Sequence, residues 1–246
     1  MTDLSLGAPG DAAAFRIGDV FGQSLQLFKR RFAPLVAVTA LVYAPLFLPP
    51  LLIGEMDVGA GAAAIAAAIA ANLVLPQLAS NAVCLAVVGD LRGEGFAAPQ
   101  ALGAALRRLA PVLAVNGLLL LVAAAAGLLL VAPGVMVLCA YMLAGPACLL
   151  EGRGVLDSFK RSAALTRGRR WLVFGVLLLS LLPGLALPLG LGAVLEALNF
   201  GAAAQTVASD IWSVLFGAFW AVLFTVLYLR LRAAREGAAD ITRVFD

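Results

Sequence analysis

Charged residues divide this chain into long apolar stretches separated by short basic clusters. Five stretches contain no Asp, Glu, Lys or Arg: 32–54, 58–89, 109–150, 171–195 and 211–229. A helix at the surface of a soluble protein shows polar residues on its outer face, whereas one that is apolar all round is buried or lies in a membrane. About 20 apolar residues rising ~1.5 Å each cross a bilayer core, so four of the stretches fit one span apiece. The stretch 109–150 would run ~63 Å as one helix, about twice the hydrocarbon thickness. It must fold back, and Pro133-Gly134 near its middle is the expected turn. The pattern predicts an all-α polytopic membrane protein with six transmembrane helices, at about 32–54, 62–88, 111–131, 134–150, 171–191 and 211–229. A soluble bundle is excluded because so small a protein cannot make this many long apolar helices central. Pro183 and Pro188 are expected to break the fifth helix or end it early.

The intervening segments have a helical period of their own. Phe21, Leu25, Phe28 and Phe32 recur along one face of 20–32, and Leu102, Leu106 and Leu109 do so after Pro99, which can open a helix. Val155, Phe159 and Ser162 or Ala163 form a looser third face, with Asp157 placed to pair with Lys160 or Arg161. The first two segments run into closely similar pentads, Arg30-Arg31-Phe32-Ala33-Pro34 and Arg107-Arg108-Leu109-Ala110-Pro111, and the third runs into Arg169-Arg170-Trp171. The expected unit is therefore a basic amphipathic helix in the interface followed by a helical hairpin, used three times. Proline in the first turn of each span lacks only an N–H that has no partner there. In domain terms this gives a flexible cytoplasmic N-terminus at 1–17, a membrane domain at 18–230 and a cytoplasmic tail at 231–246.

Charge then fixes the orientation. The chain is 63% hydrophobic and only 13% charged, about half the charged share of an ordinary soluble domain. Six spans put both termini on one side, and all 17 Lys and Arg fall on that side. The other side carries only Glu55, Asp57, Glu196 and Asp210. The positive-inside rule makes the basic side cytoplasmic. Trp171, Trp212 and Tyr228 sit at span ends, where amphipathic rings anchor. The start of the chain has no basic region ahead of an apolar core, and it reads as no cleavable signal peptide.

The spans offer little chemistry. They hold no charged side chain and the chain has no histidine, which disfavours ion-coupled transport, because such pathways are marked by ionisable groups. Asn72, Gln77, Ser80 and Asn81 on the second helix and Asn116 on the third are polar enough for helix–helix hydrogen bonds or for a polar cavity. Cys84, Cys139 and Cys148 all lie in apolar segments and read as small buried hydrophobes. No triad, metal cluster or Walker motif is present, so no catalysis, cofactor or metal is expected. The carboxylates near the cytoplasmic face, Asp90, Glu94, Glu151 and Asp157, more simply balance the arginines beside them.

Several motifs resemble a family of bacterial six-span proteins, the glycerophosphoryl diester phosphodiesterase membrane-domain-like group. They are Phe21-Gly22-Gln23-Ser24-Leu25 before a basic run, Leu156-Asp157-Ser158-Phe159-Lys160-Arg161-Ser162, and the ending Leu227-Tyr228-Leu229-Arg230-Leu231-Arg232 with Glu236-Gly237 and Asp240. Arg230 stands where that group often has an acidic residue. The resemblance implies a bacterial inner-membrane location and a link to lipid or envelope physiology. It implies no hydrolase, since the chain lacks the histidines a phosphodiesterase barrel needs. The function expected is a non-catalytic module that binds anionic lipids, or partner proteins including a second copy of itself, through Lys29, Arg30, Arg31, Arg107, Arg108, Lys160, Arg161, Arg169 and Arg170. Nucleic acid is a poor partner for a basic face that already has membrane anions beside it. The alternative is a channel or facilitator for a neutral or lipid-like substrate, lined by Asn72, Gln77, Ser80, Asn81 and Asn116.

Overall fold

Every element among the described residues is an α-helix, as expected where backbone polar groups have no water to bond and must be satisfied within the segment. The computed structural model describes residues 16–53 and 61–236; the N-terminal stretch 1–15, Glu55, Asp57 and the tail from Gly237 through Asp240 to residue 246 lie outside them. The helices are α1 (Ile17–Arg30), α2 (Phe32–Ile53), α3 (Ala62–Leu91), α4 (Ala98–Arg107), α5 (Leu109–Leu129), α6 (Val131–Tyr141), α7 (Ala144–Glu151), α8 (Val155–Thr166), α9 (Arg170–Ala197) and α10 (Ala202–Glu236). Five segments are long and apolar enough to cross a membrane: Ile65–Leu91, Leu109–Leu128, Ala132–Glu151, Arg170–Ala197 and Ala202–Glu236. The pair α1 and α2, bent at Arg31, supplies a sixth candidate. The chain is a multi-pass helical membrane protein.

The repeated pentads start helices in the same way. α2 begins at Phe32 and α5 at Leu109, each directly after its double arginine, so Pro34 and Pro111 both take the third helical position. Elsewhere the prolines act differently from expectation. The break in the long apolar stretch falls at Leu130, whose backbone is extended (φ −161°, ψ 139°), and Pro133-Gly134 lies inside the first turn of α6. Proline is tolerated there because that N–H has no intrahelical partner. A second break, at Met142 and Leu143, separates α6 from α7. It falls just ahead of Pro146, which has no N–H to return to Met142. Pro183 and Pro188, by contrast, lie within α9, which continues through both. α10 is also longer than the expected span at both ends, taking in Asp210 and running through Arg232 to Glu236.

The chain forms two compact units: one comprises residues up to 27, 110–178 and from 222, the other 28–109 and 179–221. In the second unit Val38, Val42 and Tyr43 of α2, Leu78, Ala79 and Ala82 of α3, Ala105 of α4 and Val214 of α10 form a buried core. α9 meets α10 closely at Gly184, where an added Cβ would lie 2.6 Å from the ring of Phe216. In the first unit α8 packs on α6 and α7. The hydroxyls of Ser162 and Thr166 both donate to the carbonyl of Ala140, at 2.8 and 3.2 Å, beside the α6–α7 break.

Each of the three short amphipathic helices buries one face against the protein. α1 buries Val20, Ser24 and Leu27, α4 buries Ala101 and Ala105, and α8 buries Ser158, Ser162, Leu165 and Thr166. Small and hydroxyl-bearing residues allow close helix contact and make up most of these faces, with Val20, Leu27 and Leu165 beside them. Other large residues lie outside. Leu25, Phe32, Leu106 and Leu156 are exposed, and Phe28, Leu102 and Phe159 are half-buried.

Candidate functional site

The most strongly built polar arrangement lies in the first unit, where α7, α8 and the end of α10 meet. Tyr228, Arg232 and Glu236 stand four residues apart on α10 and share one face of it. Glu151 closes α7, and Gly152 after it takes a left-handed backbone (φ 64°), a conformation that suits glycine. That turn sends the chain straight into Arg153, whose Nε donates to Glu151 Oε2 at 2.5 Å. Arg161 on α8 bridges two acids: its Nε donates to Glu151 Oε1 at 2.9 Å and its Nη2 donates to Glu236 Oε1. Arg232 Nε donates to Glu236 Oε2 at 2.9 Å, and its Nη1 lies 3.9 Å from Glu151 Oε1. The Tyr228 hydroxyl also donates to Glu151 Oε1. Glu151, Arg161, Glu236 and Arg232 thus form a closed ring of alternating charge.

Burial makes the ring consequential. The side chains of Glu151 and Arg232 are 4% and 1% exposed. A carboxylate or guanidinium so deeply removed from solvent is tolerated only when paired and hydrogen-bonded. Burial works against the charge of Arg161, but its bonds to Glu236 and Glu151 outweigh this and hold its pKa above the ordinary arginine value.

The expected basic residues divide into two groups. Arg161 belongs to the ring rather than to an open belt. Arg31, at the bend between α1 and α2, makes a two-pronged bond to Asp90 at the end of α3, with Nη2 at 2.5 Å from Oδ1 and Nε at 3.1 Å from Oδ2. That acid holds Arg31 in its charged form, through the bond first and its negative charge second. Lys29, Arg30, Arg107, Arg108, Lys160 and Arg170 are exposed and Arg169 is half-buried. Lys160 pairs with Asp157 at 3.3 Å, a contact open to solvent.

The expected cavity residues are placed as follows. Asn72 is exposed and donates to the carbonyl of Ala68 within α3. Gln77 donates to Asn81 one turn further along the same helix, at 2.7 Å. Ser80 is half-buried. Asn116, in the other unit, lies against Gly145, where a side chain's Cβ would come within 3.1 Å of Asn116 Oδ1. A pocket of about 300 Å³ lies instead between the end of α9 and the start of α10, lined by Leu191, Leu195, Gln205, Thr206 and Ser209 among others. The hydroxyls of Thr206 and Ser209 bond to carbonyls of their own helix.

Sequence reasoning missed Glu151, Tyr228, Arg232 and Glu236 as a unit. Tyr228 is fully buried rather than interfacial, and the helix carrying Arg232 continues where a tail was expected. The available signal was the four-residue spacing of a tyrosine, an arginine and a glutamate at the end of the last apolar stretch. Arg230 bonds to Gln23 of α1 at 2.5 Å. Among the described residues no three His, Cys, Asp or Glu are grouped as a metal site would require, and Cys84, Cys139 and Cys148 are buried thiols outside any disulfide.

Among family models, one described as Domain of unknown function (DUF7847) matches residues 16–231. No curated protein and no solved structure matches the chain.

Proposed function

The chain belongs to that family of unknown function, and we propose that it is a non-catalytic membrane module that binds anionic lipids at the entrances to its apolar helices. One observation carries this reading: exposed cations stand next to exposed apolar side chains at each entrance. Lys29 and Arg30 neighbour Leu25 and Phe32; Arg107 neighbours Leu106; Lys160 and Arg170 neighbour Leu156 and Trp171. A helix in the bilayer interface immerses such apolar groups among acyl chains while its cations meet lipid phosphates. In this proposal α1, α4 and α8 dock on the protein by their buried faces and on lipid by their exposed apolar residues. Each precedes one of three hairpins, and both termini lie on the cytoplasmic side of a bacterial inner membrane. The likeness to the glycerophosphoryl diester phosphodiesterase membrane-domain-like group agrees with that arrangement. The channel reading draws no comparable support, since the amides of Asn72 and Gln77 bond within α3.

The test replaces Lys29, Arg30 and Arg107 with glutamine, residues outside the ring, and measures retained lipid by native mass spectrometry from nanodiscs containing phosphatidylglycerol and phosphatidylcholine. Each cation lost should lower phosphatidylglycerol retention by about fivefold, the equivalent of roughly 1 kcal/mol near an anionic surface. Equal retention by the folded triple variant and the parent protein would overturn the proposal.

A further inference from the structure

The ring is asymmetric. Glu151 is almost fully enclosed and takes donors from Tyr228, Arg153 and Arg161. Glu236 is 21% exposed, stands in the last turn of α10, and is held by Arg161 and Arg232 alone among the described residues. Each of its carboxylate oxygens accepts from a different guanidinium: Oε1 from Arg161 Nη2 and Oε2 from Arg232 Nε. Two guanidiniums converging on two oxygens of one anion is the arrangement by which arginines grip phosphate groups.

We propose that Glu236 occupies, from within the chain, a two-arginine site whose exchangeable ligand is a phosphate group. Charge argues for exchange rather than for a fixed structural pair. With Glu236 in place, the ring is neutral and Arg153 adds one positive charge. With Glu236 withdrawn, Glu151 is the one acid of the ring left to Arg161 and Arg232, with Arg153 beside them. Enclosed cations in excess of their acids favour another anion. Arg235, which donates to the backbone carbonyl of Arg167, adds exposed positive charge on the same side. Glu236 is the most exposed of the four ring members. Its withdrawal leaves Arg161 anchored on Glu151 by its Nε, with an Nη group released for a phosphate oxygen. Phosphate differs from carboxylate in offering a third oxygen, and Arg153, half-open to solvent, is the third cation at the ring. The exchange makes and breaks no covalent bond. This site is separate from the exposed cations of the entrances, and Lys29, Arg30 and Arg107 stay intact in its test.

The experiment uses the full chain carrying Glu236→Gln. Its thermal unfolding in detergent is compared in inorganic phosphate and in chloride of equal ionic strength, and its retained lipid is measured in nanodiscs of phosphatidylglycerol or phosphatidylcholine. The variant should melt below the parent protein in chloride and recover by about 2–4 °C in saturating phosphate, while the parent, in which Glu236 competes for the site, gains less. In nanodiscs it should hold an additional phosphatidylglycerol per chain and no additional phosphatidylcholine. Response to phosphate alone identifies a soluble anion as the ligand, response to phosphatidylglycerol alone a headgroup, and response to both the shared phosphate chemistry; each supports the proposal. Equal destabilisation in both salts with no added lipid overturns it, because a purely structural pair behaves that way. A response that persists in the double variant E236Q/R161Q overturns it as well. Should E236Q fail to fold, E236D keeps the charge but shortens the reach, and its phosphate sensitivity decides the question in the same way.

Discussion

Glu151 shows how much one buried side chain can organise. It accepts from Tyr228 and two arginines and is 4% exposed. Glu151→Gln removes the charge that Arg161 and Arg232 are buried against, and loss of one partner from a buried pair costs about 3–5 kcal/mol. The variant should therefore unfold at markedly lower temperature in detergent, read by fluorescence-detected thermal melting. Tyr228→Phe removes one bond to a charged acceptor and keeps the ring's shape, so a smaller loss of about 1.5–3 kcal/mol is expected in the same assay. An E151Q protein as stable as the parent would show that the ring does not hold the fold. The sequence carried half of this arrangement. The spacing of Tyr228, Arg232 and Glu236 is readable as one helix face, but their partners come from segments 77 residues away or similarly remote, and no local pattern specifies which acid meets which arginine.

Individual helices were legible where apolar runs are long, and less so where they stop. The charge-free stretches located the spanning helices, yet the turn expected at Pro133-Gly134 falls at Leu130, and α9 passes through both of its prolines. Packing decides such cases: Gly184, directly after Pro183, seats the ring of Phe216, and a continuous α9 keeps that contact. Gly184→Ala should destabilise by about 1–3 kcal/mol through overpacking, and adding Phe216→Leu should restore part of the loss in thermal melts. The amphipathic helices give a sharper lesson. Periodicity identified their large apolar residues and set the helices in the interface, while the contacts with the protein are made by Val20, Ser24 and Leu27 in α1, Ala101 and Ala105 in α4, and Ser158, Ser162, Leu165 and Thr166 in α8. For α4 this is testable at adjacent positions. Ala105 is fully buried and Leu106 exposed, so Ala105→Leu should cost about 1–3 kcal/mol and Leu106→Gln, which leaves the helix contact intact, should cost less. The reverse ranking would mean that α4 docks by its leucine face.

Across the whole chain, the distribution of charge makes a topological prediction. Lys29→Cys, Arg107→Cys and Lys160→Cys should react with a membrane-impermeant maleimide from one side of sealed vesicles, and Glu196→Cys from the other. The native Cys84, Cys139 and Cys148 are buried and should give little background. Labelling of Lys29→Cys and Glu196→Cys from the same side would refute the odd number of spans between them. The charge ring also has a meaning in time. Glu151 is made 77 residues before Tyr228, an interval of roughly 4–15 s at ordinary rates of synthesis. For nearly all of that interval Arg153 and Arg161 are the partners of Glu151 already in existence, and Tyr228, Arg232 and Glu236 arrive only with α10. Biogenesis of the protein therefore has a late closing step. Chains interrupted within α10 ahead of Tyr228 would leave Glu151 with Arg153 and Arg161 as its remaining partners of the three.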